Sequence, residues 1–157
     1  MTDYNLQTNL RLGFNFSNSP PPPTPLLGLQ IPSGERTSIS FYITTQPKDV
    51  YLAAILRPQI NLFNIYRLNI SAYSEVTAGY FFHGTYGPDF PGGAQVGLGL
   101  GVEGCYRIDA DHDFCLNAGY TAAWMERSVF TLPSSVRPTG WDGRNLLSIG
   151  LTLAFGI

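Results

Sequence analysis

Apolar and polar side chains alternate along the first strand-like segment of this chain. The even positions from Leu6 to Phe16 are apolar except for Thr8. The positions between them are hydrophilic or glycine: Gln7, Asn9, Arg11, Gly13 and Asn15. Because successive side chains of a β-strand point to opposite faces of a sheet, this segment must separate an apolar environment from a hydrated one along its length.

The same period of two continues along the rest of the chain. A short turn at Lys48–Asp49 would pair Ile43 with Ala54 and Thr45 with Leu52, which keeps both apolar rows on one side of the sheet. The alternation between 62 and 86 is too long for one strand. The fold class is therefore all-β, with further strands predicted over 37–45, 51–61, 95–108, 114–124 and 147–157.

Proline and glycine divide the strands from one another. The proline-rich run that begins at Pro20 cannot donate ladder hydrogen bonds, so 18–35 is predicted to be an extended surface loop, with docking of a partner as the alternative. Breaks at Asn64 and at Ser74–Glu75 would split 50–86 into three strands, which gives eight strands in a single domain over 1–157. Long connections at 18–35, 86–93 and 131–144 would then alternate with short ones at 47–49, 74–75 and 109–112.

Composition chooses between a membrane barrel and a soluble, ligand-binding one, since both alternate. Charged residues make up 13% of the chain, against about 25% in an ordinary soluble domain. The segments also cover the roughly 9 to 11 residues that a strand needs to cross a bilayer. We therefore predict a closed antiparallel up-and-down transmembrane β-barrel with its apolar face outward, because hydrocarbon requires every backbone polar group to be paired.

Charge and segment composition argue against other classes. A net charge of −2 and scattered cations give no basic surface, so nucleic acid is not an expected partner. No stretch reaches the roughly 18 apolar residues of a transmembrane helix. The start, Met1 to Tyr4, lacks the basic and apolar regions of a signal peptide, so we expect a mature form with an added methionine.

The alternating strands, the alternating long and short connections and the apolar last strand from Leu147 to Ile157 resemble small bacterial outer-membrane barrels of the OmpA and opacity types. The resemblance is one of architecture and extends over almost the whole chain. Members of this class usually end on an aromatic residue, whereas this chain ends on Ile157. We predict an integral protein of the bacterial outer membrane that contacts the lipid bilayer and serves as a structural anchor.

Loops of such an anchor would contact a protein partner, and their aromatic residues are the predicted contacts: Tyr86, Phe90 and Trp141. A narrow pore for ions or small solutes is the alternative function. A lipid-modifying enzyme is less favoured, because His83 has a carboxylate nearby in sequence, Asp89, but no evident serine nucleophile beside it, and His112 lies in the opposite turn. We predict no catalytic site, no cofactor and no metal site, and leave the oligomeric state open.

Two cysteines flank a short turn symmetrically. In a hairpin centred on Ala110, Cys105 faces Cys115, and Arg107 faces Asp113 on the polar side. Directly opposed residues approach to about 4.5 Å between Cα atoms in a non-hydrogen-bonded pair, which is within disulfide range. We predict a disulfide formed in an oxidising compartment, with two buried thiols as the alternative.

Charged residues on the polar face would meet inside the barrel. The interior of an eight-stranded barrel is just wide enough to be filled by side chains. We therefore predict an internal network of ion pairs and hydrogen bonds, with ion leakage through a wet interior as the alternative. Its predicted members are Arg11, Arg57, Arg67, Glu103 and Arg107, with Glu75 near a turn.

Overall fold

The computed structural model describes residues 6–17, 24–46, 51–82, 92–126 and 141–157, with only the backbone described at 46, 141 and 142. These residues form eight antiparallel strands joined in sequence order into one closed barrel, so the predicted fold class is confirmed. The strands are β1 (Asn9–Ser17), β2 (Thr24–Pro32), β3 (Thr37–Gln46), β4 (Tyr51–Ile65), β5 (Leu68–Phe81), β6 (Gly93–Arg107), β7 (His112–Glu126) and β8 (Trp141–Gly156). Within the described ranges, no helix is long and apolar enough to cross a membrane.

Closure occurs between the first and last strands, where Ser17 pairs with Ser148. We start at Ser17 and move from each residue to its partner on the next strand, which leads around the barrel to Pro32 on β2. In the register of β1 and β2, Pro32 lies opposite Gln7 rather than opposite Ser17. The strands are therefore staggered by about ten residues over one circuit, which corresponds to a strand tilt of roughly 40°.

The connections separate the two ends of the barrel. The end that we call the turn end carries the connections 33–36, 66–67 and 108–111, together with the start of β1 and the end of β8. The opposite end, which we call the loop end, carries the connections 18–23, 47–50, 82–92 and 127–140.

The barrel has an inverted distribution of polarity. Large apolar side chains cover its outside, as in the outward row Leu98, Leu100 and Val102 of β6, which are 56%, 69% and 53% exposed. Buried polar and charged side chains, among them Arg11 and Glu103, occupy its inside. The period of two in the sequence thus separates an apolar exterior from a polar interior.

The predicted loop over 18–35 is wrong in its second half, because β2 lies there. Leu27 and Ile31 point outward, whereas Leu26 and Gln30 are buried inside. Gly28 between them is required by close packing, since a Cβ at this position would meet the ring of Tyr42. The two prolines of β2 stand near its ends, where ladder donors are least needed.

The predicted division of 50–86 into three strands is also wrong. β4 and β5 fill this region, and Ser74–Glu75, predicted as a turn, lies in the middle of β5. The real turn is Tyr66–Arg67, two residues beyond the predicted break at Asn64, and Tyr66 has a positive φ of 56°. This conformation is strained for a residue other than glycine. Because a tyrosine occupies it here, the sequence does not mark the position as a turn. The strand count of eight was thus reached with the wrong partition.

Two connections were predicted at the wrong end of the barrel or with the wrong limits. The connection 47–50 lies at the loop end, not with the short turns, because β2 adds a strand before it. β8 begins at Trp141, so 141–144 belong to a strand rather than to the predicted loop 131–144. The predicted pairs Ile43–Ala54 and Thr45–Leu52 are confirmed. The predicted loop 86–93 falls mainly outside the described residues.

Glycines on the inner face provide space for large side chains opposite them, which leads to a first prediction. A Cβ on Gly101 would meet the ring of Tyr73 and the carbonyl oxygen of Ala118. We expect Gly101→Ala to destabilise the barrel by about 1–3 kcal/mol in equilibrium denaturation. Gly104→Ala on the same strand is the matched control, because its Cβ would approach only the flexible end of Ile70, at 3.2 Å. Equal stability of the two variants would contradict the prediction.

Candidate functional site

A buried ion pair lies inside the barrel. The Arg11 side chain of β1 reaches across the lumen to Glu103 of β6, and its Nη1 donates to both carboxylate oxygens, at 2.7 and 2.8 Å. Both side chains are 2% exposed. The same Nη1 is 3.0 Å from the hydroxyl of Tyr42, to which it also donates. Strands that are not neighbours in the sheet are therefore joined directly through the lumen.

Two glutamines extend this pair into a network. Arg11 Nη2 donates to Gln30 Oε1 at 2.7 Å, and Gln30 Nε2 donates to Gln59 Oε1 at 2.8 Å. Gln59 Nε2 then donates to Glu103 Oε1 at 2.9 Å, which closes a ring of hydrogen bonds. Ser40 adds a hydroxyl donor to Gln59 at 2.7 Å. Nearly every polar atom of the ring thus has a partner, which is what a buried charge requires.

Arg57 connects this ring to a second carboxylate nearer the loop end. Its Nη2 lies 2.7 Å from Glu75 Oε2, and its Nη1 lies 3.9 Å from Glu103 Oε2. The guanidinium stands over the rings of Tyr73 and Tyr42, at 4.1 and 5.1 Å from their centroids. Two arginines, Arg11 and Arg57, thus balance two glutamates inside the barrel.

The disulfide prediction is confirmed: Cys105 and Cys115 are directly opposed in the β6–β7 hairpin and bonded to each other, with 4.0 Å between their Cα atoms. Both residues are buried inside the barrel, and Arg11 Nη2 lies 3.8 Å from the Cys105 sulfur. Glu103 and the two sulfurs lie close enough together to suggest a metal site. Because the sulfurs are bonded to each other, neither is available as a thiolate ligand.

Burial of the disulfide predicts protection from reductant. We expect a soluble thiol reductant to leave the bond intact in the folded barrel and to cleave it after denaturation, because access to the sulfur controls the exchange rate. Mass spectrometry should then show a gain of one hydrogen on each sulfur only in the denatured sample. Labelling of two free thiols in unreduced, denatured protein would contradict the prediction.

The remaining predicted members of the network lie nearer the turn end. Arg107 pairs with Asp113 across the hairpin at 3.0 Å, with its side chain 23% exposed. Arg67 does not belong to the interior: it lies in the β4–β5 turn, exposed, with its guanidinium 5.8 Å from the ring centroid of Tyr66. The prediction that Arg67 lies inside was wrong because the alternation of inward and outward side chains does not continue beyond the end of a strand.

The exposed β6–β7 turn holds the described histidine. His112 Nδ1 lies 2.7 Å from Asp109 Oδ1, and the backbone N–H of Asp111 donates to the same oxygen at 2.9 Å. The backbone N–H of Asp111 and the His112 ring lower the pKa of Asp109, so its carboxylate stays charged to a lower pH than usual. The pairing stabilises the turn.

Other predicted site residues lie outside the described residues or have no described side chain. Tyr86, Phe90, His83 and Asp89 lie outside the described residues, and Trp141 begins β8 but its side chain is not described. Comparison with protein-family models, curated proteins and solved structures finds no match to this chain.

Sequence reasoning misplaced one side chain of the interior network and did not single out two others. Glu75 was predicted to lie near a turn, and Tyr42 and Tyr73 were not singled out, although all three contact Arg57. A signal was present: each occupies an inward position in an otherwise small or polar row, where a large side chain must fill the lumen.

Proposed function

We propose that this chain is an integral β-barrel of a bacterial outer membrane that acts as an anchor and presents its loop end to the exterior. The observation that carries this proposal is the inverted polarity of the barrel, in which exposed leucines surround a buried Arg11–Glu103 pair. Water would penalise such an exterior, whereas hydrocarbon favours it. The closed sheet also leaves no edge strand, as a membrane span requires.

Aromatic side chains support a definite height for the membrane. On the outside of β7, Phe114 near the turn end and Trp124 near the loop end are both exposed. They lie ten residues apart, which at about 3.4 Å per residue and a tilt of roughly 40° spans roughly 25 Å. That is about the apolar height of outer-membrane barrels, which are flanked by aromatic girdles. Further exposed aromatics near the two ends are Tyr66 and Tyr106 at the turn end and Tyr80 and Phe82 at the loop end.

Connection lengths support the orientation. Outer-membrane barrels have short periplasmic turns and longer extracellular loops. The turn end carries connections of two to four residues, while the longest connections, 82–92 and 127–140, lie at the loop end. We assign the turn end to the periplasm and partner contact to the loop end, with Tyr86, Phe90 and Trp141 as candidates.

The ring of Arg11, Gln30, Gln59 and Glu103 favours an anchor over a pore. It spans the lumen from β1 to β6, and Arg57 extends it toward Glu75. A passing ion would have to displace paired and buried charges, which is costly. We therefore expect no steady single-channel steps in planar bilayers, and their appearance would favour the pore.

Refolding tests the membrane proposal directly. In detergent or lipid vesicles, the unheated barrel should migrate on a gel at a different position from the boiled sample. Without detergent, the same chain should precipitate on removal of urea. A monodisperse folded protein in plain buffer would contradict the proposal and favour a soluble, ligand-binding barrel.

A further inference from the structure

A small cavity lies inside the barrel between the charged network and the loop end. It has a volume of about 60 Å³ and is bounded toward the network by Glu75. A cavity needs a volume of about 10–15 Å³ to hold one water, so this cavity can hold a few waters or one small polar group. Six polar side chains of its wall are more than nine-tenths buried: Thr24, Thr44, Tyr51, Thr77, Gln95 and Thr121.

The two oxygens of Glu75 have different surroundings. Oε2 accepts hydrogen bonds from Arg57 Nη2 at 2.7 Å and from Nε at 3.2 Å, on the side of the network. Oε1 accepts only longer contacts from the hydroxyls of Thr121 and Thr77, at 3.2 and 3.4 Å. A carboxylate oxygen has capacity for a further, shorter donor, so Oε1 is the charged acceptor of the cavity.

Five of the hydroxyls around the cavity already donate their protons to other acceptors. Carboxylate and carbonyl oxygens can only accept, so Thr77 and Thr121 must donate to Glu75, and Tyr51 donates to Gln95 Oε1 at 3.1 Å. Thr24 and Thr44 likewise donate to backbone carbonyls, at 3.2 and 2.8 Å. Each hydroxyl has one proton and two lone pairs, so these five groups have only acceptor capacity left.

Donors in the wall are fewer and uncharged. They come from the side-chain amides of Asn15 and Gln95 and from the hydroxyls of Ser17 and Ser148. The cavity therefore favours a ligand with several N–H donors and a positive charge, because charge-assisted hydrogen bonds are the stronger ones. Arg57 neutralises much of Glu75 from the far side, so the affinity is expected to be weak.

We propose that this cavity binds a small ammonium group against Glu75 Oε1, with Thr77 and Thr121 as the flanking acceptors. The ligand is either the free ammonium ion or the ammonium end of a short primary amine, which share the same donors. The site lies on the loop-end side of the charged network and does not depend on the membrane in which the barrel lies.

Nuclear magnetic resonance on the refolded, ¹⁵N-labelled barrel in detergent tests the proposal. Ammonium chloride should shift the backbone amide signals of Thr77, Gln95 and Thr121 in a saturable way, while sodium chloride at equal ionic strength should not. The affinity for methylammonium, compared with that for ammonium, shows whether the cavity prefers a primary amine or the free ion. Tetramethylammonium carries the charge without N–H donors and should produce no saturable shift.

A pair of hydroxyl deletions makes the test specific. Thr121→Val keeps the shape of the side chain but removes one acceptor and should weaken ammonium binding roughly tenfold. Thr152→Val removes a buried hydroxyl that has no partner among the described residues and does not line the cavity, so it should leave the affinity unchanged. Thr77→Val replaces Thr121→Val if the latter shows no heat-modifiable band. Absence of saturation, equal shifts with sodium, or equal affinity of Thr121→Val and wild type would overturn the proposal.

Discussion

Replacement of Glu103 by glutamine is expected to destabilise the folded barrel by about 3–5 kcal/mol, because it leaves Arg11 as an uncompensated buried cation. Glutamine keeps the size of the side chain, so the loss reports on charge rather than on packing. Arg11 and Glu103 are each 2% exposed, and 2.7 Å separates the guanidinium from the carboxylate. Urea denaturation of the refolded barrel, followed by the loss of the fast-migrating gel band, measures the change.

A double variant separates the charge pair from its surroundings. Combining Glu103→Gln with Arg11→Met removes both charges and should recover most of the lost stability, since buried pairs contribute little net stability over uncharged replacements. Arg107→Met provides a comparison at the barrel end, where Arg107 is 23% exposed and water can partly replace it beside the buried Asp113, so the loss of stability should be smaller. If the double variant were as unstable as Glu103→Gln alone, Arg11 would not be the cause.

The period of two was sufficient to predict which side chains face inward. It placed Arg11, Arg57 and Glu103 on the inner face of the sheet, and the interior position of each follows from strand geometry alone. The symmetry of the sequence about Ala110 likewise predicted the pairing of Cys105 with Cys115. These inferences succeeded because side-chain direction and hairpin register are local properties.

The limits of the strands were not predictable in the same way. β2 was missed because prolines mark a loop in most proteins, although here they stand near the ends of the strand. The β4–β5 turn was misplaced because Tyr66 adopts a conformation usually taken by glycine or asparagine. The closed barrel as a whole determines where these strands end and turn, so the neighbouring residues do not indicate these positions.

Contacts across the lumen were the least accessible to sequence reasoning. Arg11 and Glu103 are 92 residues apart in the chain, and they meet only because the closed barrel makes β1 and β6 face a common lumen. Glu75 was assigned to a turn for the same reason, since its partner Arg57 becomes evident only when β4 and β5 are paired. The alternation along a strand predicts which face of the sheet a side chain lies on. The stagger of the strands determines its position along the barrel axis, and therefore its partners.

Introduction of arginine on the outside of the barrel tests its environment with a comparably large effect. Leu100 lies at the centre of β6 and is 69% exposed. In lipid vesicles, Leu100→Arg should destabilise the barrel by about 2–4 kcal/mol, the cost found for arginine at the bilayer midplane. Tyr66→Arg is the matched control, because Tyr66 is 83% exposed in the turn end, where the same charge should cost about 0–1 kcal/mol. In a water-exposed barrel both substitutions would be nearly neutral, so equal and small losses in reversible urea unfolding would show that the apolar exterior does not contact hydrocarbon.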